Sequence, residues 1–443
     1  MNRGSHTTSD NHTPQDVVWD LAVIGGGAAG LMAAIHAGRT LREGESAARV
    51  IVLDGAKRLG AKILVSGGGR CNVTHHAVDE TAYAGASPRA VRKILRAYDV
   101  DRTVAFFADA GVELKRESTG KLFPVTDSAR TVLDALVGEA RKAGVEIRCP
   151  WRVERILRED FGFAIHRDPA HDLPGDGTRV LHARRVIVAT GGKSLPKSGS
   201  DGHGYAMMRE LGHTVTPRLL PALVPLLLPV DHPLPGLSGL SFEGEFTVLS
   251  GTGKTLARAQ GSILCTHFGL SGPAVLDISR HYLSVREDDA KATLVLDLIP
   301  GTGRDTVERE LRDLGGRTVS AYLRGRLPDR LAHAVCDMAG VAWDRTGAAL
   351  TRDERRRLLA SATANALPVT GDRGFRYAEV TAGGVRLSEV RLQTLESRTC
   401  PGLHLCGEIC DVDGRIGGFN FQWAWSSGYV AGVGAARALI ASG

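Results

Sequence analysis

The sequence predicts an α/β protein in which a mostly parallel sheet, covered by helices, is interrupted by a long insertion. The apolar run DLAVI (20–24) passes through a glycine-rich turn and a helical stretch into a second apolar run, ARVIVLD (48–54), which is the order of a βαβ unit. Runs of the same kind return at 182–192 and 401–408. Residues 213–371 differ, because proline- and leucine-rich segments there give way to charged helical ones, and this change predicts the insertion.

Length and composition bound the class of protein. The 443 residues allow two or three domains, and no apolar run approaches the roughly 20 residues that span a bilayer. Residues 1–16 are polar, lack the apolar segment of a signal peptide and are predicted to form a disordered extension. Seven cysteines, an odd number, favour a cytoplasmic location over a disulfide framework. The net charge of +6 permits an anionic partner such as RNA and fits a solvated surface equally well.

The turn after the first strand has the glycine spacing of a dinucleotide-binding Rossmann unit, Gly25-x-Gly27-x-x-Gly30. The first glycine allows a tight turn, the second lets the backbone approach a pyrophosphate, and the third lets helix and strand pack closely. The start of the helix, which includes Ala29, offers unpaired N–H groups to phosphates. Asp54 ends the second strand, where its carboxylate can accept both ribose hydroxyls. The combination predicts a bound dinucleotide, and the alternative is a glycine-rich turn without a ligand.

Two later segments favour FAD over a nicotinamide cofactor. VIVATGG (186–192) ends a strand at Thr190 and Gly191, and HLCGEICDVDGRIGGFN (404–420) leads into the last helix. Such a helix can direct its N-terminus at the edge of a flavin that becomes negative on reduction. In the second segment we predict cofactor contacts from Gly407, Glu408, Gly417, Gly418, Phe419 and Asn420.

These segments divide the chain into a nucleotide-binding domain and a two-part insertion. The nucleotide-binding domain is predicted at 17–212 and 372–443. The insertion has a β-rich part at 213–300 and a helical part at 301–371.

Seven motifs occur together in one order from about residue 20 onward. They are GGGAAGLMAA, GAKILVSGGGRCNVTH, GKLFPVTDSA, ATGGKSLPKSGSDGHGY, THFGLSGPAVLDIS, EVTAGGVRLSEV and GEICDVDGRIGGFNFQWAWSSG. In these motifs the sequence resembles the BaiN/RdsA-type family of NAD(P)/FAD-dependent oxidoreductases, a branch of the glutathione-reductase-like flavoproteins. The resemblance implies a glutathione-reductase-like Rossmann FAD-binding domain interrupted by a β-barrel-like subdomain and an all-α subdomain.

The resemblance also gives a role to the loop SGGGRCNVTH (66–75), whose three consecutive glycines suit an unusual bend or a close approach to a ligand. In the family this loop lies against the flavin. Two positions depart from the family pattern: Asp54 stands where glutamate is usual, and Cys265 stands where an aromatic residue is usual. The second departure leaves substrate preference open. The residues that the resemblance adds as cofactor contacts are Lys62, Gly68, Gly69, Arg70, Cys71 and Asn72.

Reduced flavin can give hydride to the β-carbon of a polarised alkene, and an acid must then protonate the α-carbon. The resemblance implies two substrate classes, uridine in 23S ribosomal RNA and steroid enones of the bile-acid type. No second GxGxxG follows a strand, since GSDGHG (199–204) has the wrong spacing, so no separate NAD(P)H domain is expected. The reductant at the flavin is expected to be transiently bound NAD(P)H, with another electron donor as the alternative. Residues 304–330 carry seven arginines against five acids, and RDERRR (352–357) adds to them, which favours RNA or is a solvated helix face.

We therefore expect an FAD-dependent reductase that converts uridine to dihydrouridine in ribosomal RNA. The alternatives are a small-molecule enone reductase, a flavin amine oxidase and a non-catalytic flavin-containing RNA-binding factor. Candidate proton donors are Cys71, His267 and His203, each with a structural alternative; for Cys71 that alternative is a small buried filler in a tight loop.

Three further patterns favour ordinary structural roles. Cys400, His404, Cys406 and Cys410 do not have the spacing of a common zinc site, so no metal is expected. GTGKT (251–255) lacks the first glycine of a phosphate loop and predicts a hairpin turn. Trp423 and Trp425 are expected in the core, with base stacking as the alternative.

Overall fold

A computed structural model describes residues 18–171 and 178–442 of the chain. The extension predicted at residues 1–16 lies outside the described residues. The predicted α/β architecture is confirmed, with a main sheet whose central strands are parallel, a second sheet that is antiparallel, three small sheets, and helices packed on the two large ones.

Strands and helices alternate through the first part of the nucleotide-binding domain. In chain order they are β1 (Val18–Ile24), α1 (Ala28–Glu43), β2 (Val50–Leu53), α2 (Ala61–Val65), β3 (Thr74–His75), β4 (Tyr83–Gly85), α3 (Pro88–Ala97), α4 (Val100–Asp109), β5 (Leu114–Arg116), β6 (Lys121–Pro124), α5 (Ala129–Lys142), β7 (Glu146–Arg148), β8 (Val153–Glu159), β9 (Gly162–Arg167), β10 (Val180–Val188) and α6 (His203–Glu210).

Strands predominate in the next part, helices follow, and the chain then returns to the first domain. The elements are β11 (Leu220–Ala222), β12 (Leu226–Leu227), β13 (Ser241–Leu249), β14 (Thr255–Thr266), β15 (Gly269–Ser271), α7 (Pro273–Asp288), β16 (Thr293–Asp297), α8 (Arg304–Arg312), α9 (Val319–Arg324), α10 (Asp329–Ala339), α11 (Arg352–Thr363), β17 (Asn365–Leu367), β18 (Gly371–Asp372), β19 (Val380–Ala382), β20 (Val390–Arg391), β21 (Glu396–Ser397), β22 (Leu403–Leu405), β23 (Val412–Gly414) and α12 (Phe419–Ile440).

The main sheet has the strand order β20-β21-β22-β10-β1-β2-β7, and β9 joins it beside β10. Every residue of β2 is buried, as expected for a parallel strand covered by helices on both faces. The carboxyl ends of β1, β2 and β10 meet at one edge, since Ile24 lies opposite both Leu53 and Val188. Ligands of such sheets bind outside this edge.

Glycines let the last helix, α12, pack against α1. A Cβ on Gly428 would lie 2.5 Å from the carbonyl oxygen of Ala29, and one on Gly432 would lie 2.1 Å from that of Ala33. Both distances are shorter than real Cβ atoms tolerate, so only glycine permits this helix spacing. The contact places the N-termini of both helices beside the carboxyl edge of the main sheet.

The insertion is built on an antiparallel sheet with the order β17-β16-β13-β14-β15-β12-β18. β13 and β14 form a long hairpin, and GTGKT (251–255) lies at its turn, as predicted. Helix α7 packs on this hairpin within the part predicted to be β-rich, and β17 and β18 return to the sheet from the part predicted to be helical. The buried apolar residues form a core separate from that of the main sheet. The division between residues 300 and 301 stays a prediction.

Candidate active site

A cavity of about 960 Å³ opens at the carboxyl edge of the main sheet. Its volume is near the upper end of the roughly 300–1,000 Å³ typical of small-molecule sites. Its walls come from the β1–α1 turn, the glycine loop, residues 195–201 and the N-terminus of α12. The predicted cofactor residues that line it are Gly25, Gly27, Ala29, Asp54, Lys62, Gly68, Arg70, Asn72, Thr190, Gly191, Gly407, Glu408, Gly417, Gly418 and Asn420. Four others, Gly30, Gly69, Cys71 and Phe419, are not among its lining residues.

The glycines of the β1–α1 turn have three different environments. Gly25 has a φ of +105°, and a Cβ on it would lie 2.4 Å from the carbonyl oxygen of Ala189. A Cβ on Gly27 would meet nothing within 4 Å, so the backbone there is open to the cavity. A Cβ on Gly30 would lie 1.8 Å from the carbonyl oxygen of Gly25, so this glycine serves the packing of helix against strand. These are the three environments that a dinucleotide turn requires.

Asp54 stabilises the same turn. Its Oδ2 accepts the N–H of Gly26 at 2.6 Å, and its Oδ1 accepts the N–H of Ala56 at 2.8 Å. The carboxylate therefore ties the end of β2 to the turn after β1. A carboxylate has about four acceptor positions, so ribose binding by Asp54 stays compatible with these two bonds.

The glycine loop has a backbone that only glycine adopts easily. Gly67, Gly68 and Gly69 have φ angles of +55°, +68° and +87° in succession. A Cβ on Gly68 would meet nothing within 4 Å, because this residue faces the cavity. The loop thus exposes main-chain groups where a ligand can reach them.

Cys71 lies behind this loop in the core of the main domain. Its side chain has no exposed surface, and its φ is +60°. Burial raises the pKa of the thiol to about 12, although the hydroxyl of Ser66 opposes the shift. This position argues against cofactor contact and proton donation by the thiol, and it favours the alternative of a small buried side chain that fills a tight loop.

Three polar atoms on the cavity wall are buried without a hydrogen-bond partner in the described part of the chain. They are Asn72 Oδ1, Thr190 Oγ1 and Ser200 Oγ. Such atoms are rare in folded proteins, and each is costly to leave unsatisfied. They come from three separate segments that meet at one cavity, so they fit a large polar ligand such as FAD.

Arg70 forms part of the wall beside the glycine loop. Its guanidinium lies 2.7 Å from a carboxylate oxygen of Glu117 and 4.0 Å from the ring centroid of Phe123. These contacts hold the guanidinium in a defined orientation, with the cavity on one side of it. A cofactor contact from Arg70 stays a prediction.

An ion pair joins two other predicted cofactor residues. Lys62 Nζ lies 2.6 Å from Glu408 Oε2, and Glu408 Oε1 accepts the N–H of Thr381 at 2.8 Å. The pair therefore connects α2, the segment after β22 and β19 across the cavity wall. A ribityl contact from Glu408 would have to share the carboxylate with these two partners.

The N-terminus of α12 lies against β3. Gly418 has a φ of +98°, and a Cβ on it would lie 2.5 Å from the carbonyl carbon of Thr74. The side chain of Asn420 donates to the carbonyl oxygen of Gly414 at 2.9 Å and accepts its N–H at 2.8 Å. Phe419 packs outside the cavity against other aromatic rings. Asn420 thus has a structural role that the sequence did not predict.

The two tryptophans of α12 are in the core, as predicted. Trp423 Nε1 donates to the carbonyl oxygen of Gly407 at 3.0 Å, and Trp425 Nε1 donates to that of Val73 at 2.8 Å. Both are almost fully buried. Their indoles hold the backbone on two sides of the cavity.

Comparison with known proteins agrees with this geometry. Residues 19–434 match the family described as the HI0933-like protein Rossmann domain. The chain belongs to this family. It is 35% identical over 421 residues to a 3-dehydro-bile acid delta(4,6)-reductase of Clostridium scindens, covering 94% of this chain and 99% of that protein. It is 32% identical over 427 residues to a ribosomal RNA dihydrouridine synthase of Escherichia coli, covering 96% and 98%.

A solved structure shows the same fold at lower similarity. The Escherichia coli quinol fumarate reductase superposes with a TM-score of 0.50 at 15% identity, over 96% of this chain and 71% of that one. Membership in the HI0933-like family makes this protein an enzyme, an FAD-dependent oxidoreductase. The alternative of a non-catalytic RNA-binding factor is therefore wrong.

The two histidines predicted as proton donors in this HI0933-like chain occupy different places. His267 is exposed on the turn between β14 and β15 and is not among the cavity-lining residues. His203 lines the cavity, and its Nε2 lies 2.5 Å from the carbonyl oxygen of Glu154. A carbonyl oxygen only accepts, so Nε2 carries a proton. The geometry leaves His203 as a candidate and argues against His267.

Sequence reasoning missed Glu379. This glutamate lines the cavity, and its carboxylate has no hydrogen-bond or ion-pair partner within the described ranges. Its N–H donates to the carbonyl oxygen of Leu223 at 3.2 Å, which fixes the backbone at the cavity wall. The residue as a whole is exposed, yet partial desolvation of the carboxyl on the cavity wall raises its pKa above the ordinary value, and Lys62 partly opposes the shift. A single glutamate at the start of EVTAGGV carries no spacing signal, so only the fold reveals its place.

Within residues 18–171 and 178–442, no group of three or more acidic, cysteine or histidine side chains could hold a metal ion. His404 Nδ1 lies 2.9 Å from the carbonyl oxygen of Thr394, and burial lowers the pKa of the imidazole to about 4. In the same ranges, no helix has the length and apolar character needed to cross a membrane.

Proposed function

We propose that this enzyme reduces the C5=C6 bond of a uridine in 23S ribosomal RNA to give dihydrouridine. The names of the two relatives describe reductions of the same chemical type, since both substrates contain an alkene conjugated to a carbonyl. The observation that carries the proposal is a cavity that combines orphaned polar groups for the cofactor with an unpaired acid.

When bound, reduced flavin supplies the hydride from its N5 atom. The chain must then provide a proton for the neighbouring carbon, and we propose Glu379 as its source. The carboxyl lines the cavity and has no competing partner among the described residues, and the protein around it raises its pKa above the ordinary value. The positive end of α12 also reaches the cavity and favours negative charge that develops there.

The preference for RNA depends on where unpaired positive charge lies. In the helical insertion, on which the sequence-based preference depended, four of the eleven arginines at 304–330 and 352–357 form ion pairs with acids of the insertion. These pairs are Arg312–Glu308, Arg324–Asp329, Arg326–Glu310 and Arg356–Asp353. The other seven arginines form no ion pair in the described part of the chain, so the insertion still offers positive charge to RNA.

Unpaired cations also occur near the cavity. Lys193, Lys197, Arg373 and Arg376 form no ion pair with any carboxylate in the described part of the chain. Lys197 lines the cavity directly. A polyphosphate backbone complements such a group of charges.

A small-molecule enone is the second candidate substrate. It is favoured by the bile-acid reductase, which is 35% identical over nearly the whole chain. The same cavity acid serves both reactions, so the residues nearest the flavin do not distinguish the two substrates. For either substrate we propose NAD(P)H as a transient reductant.

Anaerobic reoxidation of the reduced holoenzyme tests the proposal. The acceptors compared are 23S ribosomal RNA from a strain lacking the gene, the same RNA from the parent strain, and a 3-oxo-4,6-dienoic bile acid. We expect rapid reoxidation only with RNA from the deletion strain, because its target uridine is unreduced. Equal rates with the two RNAs contradict the proposal, and rapid reoxidation by the dienone alone favours the second candidate.

A further inference from the structure

Two aromatic rings and an arginine lie together where the insertion meets the FAD-binding domain. The guanidinium of Arg373 lies 3.5 Å from the ring centroid of Tyr377 and 4.3 Å from that of Phe268. Nearly half of the Tyr377 surface, 49%, is exposed. The arginine covers one face of the Tyr377 ring, and the exposed part of the ring is available to a ligand.

This group adjoins the wall of the cavity. Leu195 lines the cavity, and its N–H donates to the carbonyl oxygen of Phe375 at 2.9 Å. Lys193 Nζ lies 4.7 Å from the ring centroid of Phe375. Glu379, two residues beyond Tyr377, lines the cavity itself. One short segment, 373–379, therefore runs from the exposed rings into the cavity.

This surface has three cations, two of which lie in the same stretch of chain as the carboxylates of Asp372 and Glu379. Lys193, Arg373 and Arg376 form no ion pair in the described part of the chain. Arg376 is exposed beside Tyr377. Exposed cations without partners and an exposed ring complement the phosphates and bases of a single strand.

We propose that this surface, which we call the rim platform (Lys193, Phe268, Arg373, Arg376 and Tyr377), binds single-stranded RNA beside the reacting uridine. A base must leave its stack to reach an enclosed site, and its neighbours then lose a stacking partner. Tyr377 provides a replacement partner for a neighbouring base, and the cations bind the flanking phosphates. The inference rests on the proposed function and names the part of the chain that selects RNA over a small enone.

Binding of a fluorescein-labelled oligouridylate to the purified holoenzyme, followed by fluorescence anisotropy, tests the platform. Tyr377→Ala should weaken binding roughly tenfold, the loss expected for one base–aromatic stack. Tyr377→Phe keeps the ring and should recover most of the affinity that alanine loses. Phe161→Ala is the matched control, because Phe161 is 95% exposed and is not among the cavity-lining residues.

The salt dependence of the binding constant distinguishes an RNA strand, which has many phosphates, from a bile acid, which has a single carboxylate. Each phosphate contact on a single strand contributes about 0.7 to the slope of log K against log salt concentration. Arg376→Ala should reduce that slope by about 0.7, while Phe161→Ala leaves it unchanged. Flavin content of each variant, measured by absorbance, shows that the fold is intact.

The outcomes are distinguishable. If Tyr377→Ala binds oligouridylate as well as the unsubstituted protein does, the platform is overturned. The platform is also overturned if Tyr377→Ala weakens the binding of a dienoic bile acid and leaves the binding of oligouridylate unchanged. If the wild-type gene restores dihydrouridine to a deletion strain and Tyr377→Ala restores it equally, only the platform fails. If the wild-type gene restores none, the proposed function fails and takes the platform with it.

Discussion

Cys71 is expected to be dispensable for chemistry, because its thiol faces the core. Cys71→Ala should retain FAD and turnover within about twofold and lower the free energy of unfolding by about 1 kcal/mol, the cost of a small cavity. Cys336→Ala is the control, since Cys336 is equally buried in α10 but remote from the cavity. Steady-state kinetics and urea unfolding measure the two effects. Loss of turnover in Cys71→Ala alone would show that the thiol takes part in the reaction.

Glu379 should control the pH dependence of the reductive step. A proton donor acts only in its protonated form, so kcat/KM should fall as pH rises through the pKa of this carboxyl, which lies above the ordinary value. Glu379→Gln should lower the rate by about 100- to 10,000-fold, the usual contribution of a general acid, and should remove this pH dependence.

The control for Glu379 is Glu243→Gln, an exposed glutamate on β13 that is not among the cavity-lining residues. This change should leave both the rate and the pH profile intact. A Glu379→Gln enzyme with the wild-type pH profile would instead point to His203 or to solvent as the proton source.

At the scale of elements, the α1–α12 contact predicts that Gly→Ala will lower the free energy of unfolding in α12, whereas the same change on an open helix face will raise it. Alanine is a better helix former than glycine, so Gly138→Ala in α5, where a Cβ meets nothing within 4 Å, should raise the free energy of unfolding by about 0.5–1 kcal/mol. Gly432→Ala should lower it by about 1–3 kcal/mol, because its Cβ would lie 2.1 Å from the carbonyl oxygen of Ala33. Thermal unfolding of both variants measures the difference, and stabilisation by Gly432→Ala would contradict the packing described here.

Local elements were predictable where the cause is local. The Gly25–Gly30 spacing predicts the turn because Gly25 has a positive φ and Gly30 leaves no room for a Cβ, and the hairpin at 251–255 follows from short-range turn chemistry. The role of Asp54 as a backbone clamp could not be predicted, since its partner Gly26 lies 28 residues earlier in the chain and meets it only in the fold. The placement of β17 and β18 in the sheet of the insertion depends on tertiary pairing in the same way.

At the scale of the molecule, the sequence predicted the FAD-binding architecture but not the group of cations near the cavity. A count of arginines favoured the helical insertion, where ion pairs such as Arg326–Glu310 involve four of the eleven arginines at 304–330 and 352–357. The unpaired cations near the cavity come from residues 193–197 and 373–376, which are far apart in sequence. Glu379 reaches the same cavity from the second of these segments.

The most direct test of the central claim is mass spectrometry of 23S ribosomal RNA from a strain that lacks this gene, compared with its parent. We expect one dihydrouridine of the parent to appear as uridine, lighter by two hydrogens, and to return when the wild-type gene is supplied. An unchanged modification profile would contradict RNA as the substrate, and the enzyme would then be sought among reductases of small enones.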